Sequence, residues 1–255
     1  MTSPVPRWFR ATIAYDGSRY FGWQWQPDKP TVQGAIETAL ERICGMPIRV
    51  VASGRTDTGV HAIGQVISFT LATRLDPTTL RRALNANLPP DVCVREVAVA
   101  GDDFHAVRDA VRKRYRYVIQ DGSVRDVLSR NQVWWIPRRL DVVAMQRAAR
   151  LLLGQHDFAA FETSGSKRVS TVRRVIDLTV KRVATEPWDR VVIEVEANGF
   201  LYNMVRNIVG TLMVVGVGKE PPEWVQDVLD SRDRRRAGPT APPQGLCLLS
   251  VTYDK

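Results

Sequence analysis

From Trp8 to Tyr15 apolar and polar positions alternate, with Phe9, Ala11, Ile13 and Tyr15 on one side. That period of two is the mark of a half-buried strand. The period then lengthens: Val32, Ile36, Leu40 and Ile43 recur at helical spacing behind Thr31 as a cap, and the run stops at Gly45. Ile48–Val51 and Val66–Leu71 read as strands. Asp76-Pro77 opens a helix with Leu80, Leu84 and Leu88 inward, and Val92–Val99 is again a strand. The order is βαββαβ.

The second half repeats it. Val111–Ile119 alternates, with Val111, Tyr115, Tyr117 and Ile119 on one face and Arg112, Arg114 and Arg116 on the other. Asp141 caps a helix expected to run to Gly154. Val172–Val183 and Arg190–Ala197 alternate as strands around a turn at Glu186-Pro187-Trp188-Asp189. Asn203–Gly216 and Pro222–Leu229 are helical, and Leu246–Tyr253 is the last strand. Both halves therefore read as split-βαβ units of the RRM or ferredoxin-like kind, with mostly antiparallel sheets. The class is α+β, and the expected domains are 1–104 and 105–255.

Composition narrows the function classes. The 255 residues are 44% hydrophobic and 25% charged, as in ordinary soluble domains. No apolar run approaches the ~18 residues that would span a membrane, and Met1–Ala14 has no secretory pattern. The expected compartment is the cytoplasm. Cys44, Cys93 and Cys247 are far apart and odd in number, and His61, His105 and His156 do not cluster, so neither disulfides nor a metal site is expected. Net charge is +9, and residues 105–255, with 25 basic and 17 acidic groups, carry +8 of it. Such asymmetry points to a polyanionic partner, most simply nucleic acid.

Two places hold candidate chemistry. Ser53-Gly54-Arg55-Thr56-Asp57-Thr58-Gly59-Val60-His61-Ala62 lies between strands and can turn at its glycines, exposing a carboxylate two residues from a guanidinium. Its glycine spacing is that of a phosphate-binding loop, but Val60-His61 stands where Lys-Ser/Thr is required. Asp57-Thr58-Gly59 also spells an aspartic-protease triplet; a second Asp-Thr/Ser-Gly is missing, so only a homodimeric protease would survive. In the helix Asn203–Gly216, Met204, Val205, Ile208, Val209 and Leu212 make an apolar surround, yet Asn203, Arg206 and Asn207 share its first turn. A guanidinium there is costly unless a carboxylate or phosphate pairs with it.

Five stretches now stand in one order: Tyr15-Asp16-Gly17-Ser18-Arg19-Tyr20-Phe21-Gly22-Trp23-Gln24, Gly54–His61, Lys113-Arg114-Tyr115-Arg116-Tyr117, His156-Asp157-Phe158 and Met204-Val205-Arg206-Asn207-Ile208-Val209-Gly210. Together they resemble the TruA family of tRNA pseudouridine synthases, from about Trp8 to Tyr253. Thr58 stands where that family usually has Ala, a departure that leaves Asp57 in place.

The resemblance implies isomerisation of uridine to pseudouridine at positions 38 to 40 of the tRNA anticodon stem-loop, by a homodimer that uses no metal or organic cofactor. It implies Asp57 as nucleophile, Tyr115 stacked on the target uracil, Arg206 paired with Asp57, and Arg55 helping to displace or replace the flipped base. The pairing of Asp57 with Arg206 would need a cleft between the two halves. Arg112, Arg114 and Arg116, with Lys167, Arg168, Arg173 and Arg174, are expected to grip phosphates. In the reaction the N1–C1′ bond breaks, the uracil turns, and C5 bonds to C1′. A carboxylate can serve by attacking C1′, by attacking C6, or by removing the C2′ proton, and the sequence leaves all three open. The rival is a non-catalytic RNA-binding protein with tandem RRM-like domains, although such a binder has no use for Asp57.

Overall fold

The computed structural model describes residues 4–165, 170–185 and 187–254. In chain order the elements are β1 (Pro6–Tyr15), α1 (Val32–Cys44), β2 (Val51–Ala52), β3 (His61–Ala72), α2 (Pro77–Asn87), β4 (Val92–Val99), β5 (Ala110–Asp121), β6 (Trp134–Ile136), α3 (Val142–Arg150), β7 (Gly154–Asp157), β8 (Val172–Val183), β9 (Arg190–Ala197), α4 (Met204–Gly216), α5 (Trp224–Ser231) and β10 (Leu246–Tyr253). They gather into two units, Met1–Val111 with Leu248–Lys255, and Arg112–Cys247.

In the first unit the strand order is β4-β1-β3-β10, with the short β2 also on β3. The alternation of β1 does what its period requires. Phe9, Ala11, Ile13 and Tyr15 are buried, and Phe9 pairs with Phe69 of β3, their rings stacked 5.6 Å apart. α2 packs on β4 and against α1. Thr31 caps α1 by accepting the Gly34 N–H, and Asp76 caps α2 by accepting those of Thr78 and Thr79.

The second unit has the order β5-β9-β8-β7, antiparallel throughout, with β6 parallel to β5. Tyr117 and Ile119 of β5, Leu178 and Val180 of β8, and Ile193 and Val195 of β9 are buried. α3 lies on β8 and against α4. The class is α+β, with strands mostly antiparallel.

Three details differ from the sequence reading. α3 stops at Arg150 rather than Gly154, because Leu151, Leu152 and Leu153 close tight turns onto the carbonyls of Ala148, Ala149 and Arg150, and Gly154 then begins β7. β6 and β7, three and four residues long, are too short for alternation to show. The division falls after Val111, and β10 counts with the first unit from Leu248 onward. β10 runs close beside β3: a Cβ on Gly64 would sit 2.1 Å from the Leu249 carbonyl oxygen. The Tyr253 hydroxyl donates to the Ala106 carbonyl at 2.8 Å, and its ring lies 5.1 Å from that of Phe104. Glu186, in the expected turn before β9, lies outside the described residues. Among the described residues no helix is long and apolar enough to cross a membrane.

The contact at Gly64 is backbone against backbone, so a methyl group there must push β10 off β3. Gly64→Ala should lower the unfolding free energy by about 1–3 kcal/mol, the usual cost of overpacking. Urea denaturation measures it; an unchanged midpoint would mean that β10 adapts freely.

Candidate active site

The loop between β2 and β3 is anchored at its start by one buried polar residue. Ser53 donates its N–H to Val66 O (2.8 Å) and its hydroxyl to Gln65 Oε1 (2.7 Å), while Gln65 Nε2 donates to Gly54 O (2.8 Å). Gln65 is fully buried inside β3, a costly place for an amide unless it is satisfied, and holding the loop satisfies it.

The middle of the loop is held by the segment that follows β1. The hydroxyls of Tyr15 and Thr56 are hydrogen-bonded at 2.8 Å, and the Trp23 N–H donates to Thr56 O at 3.0 Å. Two glycines let the backbones touch. A Cβ on Gly17 would lie 2.0 Å from Val60 O, and one on Gly22 would lie 2.7 Å from Thr56 O. Gly22 also has φ +82°, so a side chain there would be strained twice over. At the loop's far end the buried His61 accepts the Gly17 N–H at Nδ1 (3.1 Å), and the same nitrogen is 3.1 Å from Asp16 Oδ1. Burial pushes the Asp16 carboxyl up, but hydrogen bonds from the Ser18 hydroxyl and N–H, together with nearby His61, hold it below the usual aspartate value.

Thr56 is thus buried, Asp57 half-buried, and Arg55 and Thr58 exposed. The Val60 N–H closes a tight turn onto Asp57 O at 3.1 Å. A carboxylate stands at the rim of a loop whose backbone is fixed on both sides, which suits a nucleophile or base that must not wander.

In the second unit Tyr115 is buried on β5, with its ring edge-on to Phe200 at 5.1 Å. Arg206 is half-buried in the first turn of α4. Its Nε donates to Ala241 O and one terminal nitrogen to Asn203 Oδ1, both at 2.7 Å. Asn203 itself is left-handed at φ +59°, a conformation asparagine tolerates better than most residues. Next to it, fully buried Asn207 uses every polar atom: Nδ2 donates to Phe161 O, and Oδ1 accepts from Arg234 (2.9 Å) and the Thr240 hydroxyl (2.7 Å). Asn207 thereby tethers the segment 234–240 to α4.

The opposite face of β5 is an ionic lattice. Arg114 reaches Asp177 at 2.7 Å and Glu194 and Glu196 at 3.0 Å each, Arg116 reaches Glu194 at 2.6 Å, and Arg112 lies 3.5 Å from Glu196. Lys167 and Arg168 lie outside the described residues. So Asp57 and Arg55 share one loop, while Tyr115 shares a strand with the three arginines but not their face.

The family model described as tRNA pseudouridine synthase matches residues 11–108 and 148–254. The chain belongs to that family. Its members are isomerases that convert uridine to pseudouridine. The chain is 45% identical over 241 residues to the tRNA pseudouridine synthase A of Thermoanaerobacter sp. (strain X514), covering 94% of this chain and 97% of the relative. It is 47% identical over 244 residues to that of Syntrophotalea carbinolica, covering 96% and 95%. Among solved structures, a chain of a Cbf5-Nop10-Gar1 complex aligns over 95% of this chain and 59% of its own length, at 12% identity and a TM-score of 0.36.

Within this tRNA pseudouridine synthase family member, residues that the sequence reading passed over hold the loop: Tyr15, Gly17, Gly22, Trp23 and Gln65. A signal was present for four of them, which sit in the first quoted motif, Tyr15–Gln24, beside turn glycines. Gln65 announced itself only as a polar residue in an apolar strand.

The lattice on β5 gives a pH prediction. Burial raises the Glu194 carboxyl, but the hydrogen bonds from Arg116 and Arg114 outweigh it and leave the carboxyl below the ordinary 4.5. A lowered folded-state value stabilises fully above about 4.5, and the contribution is lost as pH falls through the folded value. Unfolding curves between pH 6 and 2.5 should therefore fall less steeply for Glu194→Gln than for the wild type. Parallel curves would show the lattice to be energetically idle.

Proposed function

We propose that the chain converts uridine to pseudouridine at positions 38 to 40 of the tRNA anticodon stem-loop, with Asp57 as the nucleophile. The observation that carries this reading is the loop itself: its backbone is clamped on both sides, and its half-buried Asp57 stands between exposed Arg55 and exposed Thr58. Attack by the carboxylate on ribose C1′ or on uracil C6 lets the N1–C1′ bond break and the base turn; C5 then bonds to C1′, the bond to the carboxylate breaks to restore Asp57, and C5 gives up its proton. Tyr115 offers an aromatic face for a base taken out of its stack. Arg55 helps displace or replace that base. Arg206, set by Asn203 and the Ala241 carbonyl, serves the same reaction as a fixed cation. The active form is a homodimer acting in the cytoplasm.

The arginines of β5 divide by their partners. Arg114, held by three carboxylates, binds the sheet together, whereas Arg112, held by one 3.5 Å contact, is best placed to exchange its acid for a phosphate.

Release of label from uracil C5 of tRNA follows turnover directly. Asp57→Asn should abolish release while tRNA affinity stays near normal, since affinity comes mostly from cations on phosphates. Substantial release by that variant would sink the assignment. Gly22→Ala, which changes no reacting group, should cut turnover on the order of 100-fold by displacing the loop. Unaltered kinetics there would mean the clamp does not position Asp57.

A further inference from the structure

The loop from Tyr20 to Pro30 holds two large aromatic residues that the reaction does not use. Phe21 is 44% exposed and Trp25 48%, while Tyr20 and Trp23 beside them are buried. The loop that presents them is tied down. The Phe21 N–H donates to Pro30 O (2.9 Å), Gln26 Nε2 to Phe21 O (3.0 Å), and the Trp25 N–H to Gln33 Oε1 (2.9 Å). Gln26 and Lys29 pair across it. Each ring has a cation at its face: Lys29 Nζ is 4.9 Å from the Phe21 centroid, and Arg49 Cζ is 5.9 Å from that of Trp25.

Trp25, Lys29 and Arg49 also line an open groove along α1, whose charged residues are three cations (Lys29, Arg42, Arg49) and two carboxylates (Glu37, Glu41). Glu37 is already paired with Arg49 at 2.7 Å. Rigid rings flanked by cations match unpaired nucleotides, because every base has a face to stack and a phosphate beside it. Gly22, which follows Phe21, lies against the backbone of Thr56 and Asp57, so the rings begin next to the loop clamp.

We propose that Phe21 and Trp25 form a stacking platform for unpaired nucleotides of the RNA substrate beside the reacting uridine, with Lys29 on a flanking phosphate. This rests on the reading of the chain as an enzyme acting on a tRNA stem-loop.

The test is equilibrium binding, which needs no turnover. Phe21→Ala/Trp25→Ala is compared with the wild type on a tRNA stem-loop with intact loop bases and on one whose loop bases are abasic. Stacking is worth roughly 5- to 100-fold per base, so the double variant should lose at least that factor on the intact RNA and almost nothing on the abasic RNA. Its salt dependence should not change, and Phe21→Tyr/Trp25→Phe, which keeps both rings, should bind like the wild type. Equal loss on both RNAs, no loss on either, or no binding of the stem-loop by the wild type overturns the proposal. So does a fall in sedimenting mass of the double variant, which would give the rings to a second copy of the chain. A wild type that shows the stacking signature but releases no C5 label would overturn the catalytic reading alone.

Discussion

The contact between two stretches of backbone governs the first unit. Residues 15–24 and 53–61 meet where Gly17 and Gly22 leave no side chain in the way, and the approach is closer than any Cβ would permit. Hydrogen bonds alone would not fix such a loop, since each contributes only about 1 kcal/mol net. Here they act in parallel with steric exclusion. Tyr15 and Trp23 hold Thr56, Gln65 holds Gly54, and His61 holds Gly17. With the backbone held at Ser53, Gly54, Thr56 and His61, the loop presents the side chains of Arg55, Asp57 and Thr58 at its rim. A group that must meet a reacting atom within tenths of an ångström needs that arrangement.

The second unit handles its charges by a different rule. On β5 one face is given to the buried Tyr117 and Ile119, and the Tyr117 hydroxyl donates to Pro242 O. The Tyr117 phenol is accordingly pushed well above its usual range, chiefly by burial. The alternate residues of the same strand gather carboxylates from β8 and β9 at a cross-strand register that sets Arg114 opposite Glu196 and Arg116 opposite Glu194. Part of the +8 expected of this half is thereby neutralised in place, which lowers the number of arginines available to a polyanion.

Alternation and helical spacing carried most of the fold, because β1, β5, β8 and β9 each bury one face, α1, α2 and α3 each have an apolar stripe, and α4 is apolar nearly all round. What they could not carry was partnership. β10 has the pattern of an ordinary closing strand; that it lies along β3 depends on Gly64, whose role shows only once the two strands are adjacent. β6 and β7 were illegible for want of length. Among the candidate residues, the types at Asp57, Tyr115 and Arg206 were visible in the sequence, but not what holds each in its own unit: the Tyr15–Thr56 bond spans 41 positions, and no local periodicity encodes it. Arg206 was read as needing an anionic partner, and the neutral acceptors of Asn203 and Ala241 that orient it could not be foreseen from spacing.

The placement of β10 has a consequence for how the protein is made. The first unit takes in Leu248–Lys255, and the 136 residues of Arg112–Cys247 are synthesised before that strand exists. At ribosomal speeds of ~5–20 residues per second, β3 waits roughly 7–27 s with the part of its edge that β2 does not cover unpaired. An open edge is where strands of other chains add on, so the nascent chain is exposed to association over that interval. A frameshift or nonsense codon that removes β10 would likewise injure a part of the chain made long before it, leaving the sheet of β4, β1 and β3 unfinished.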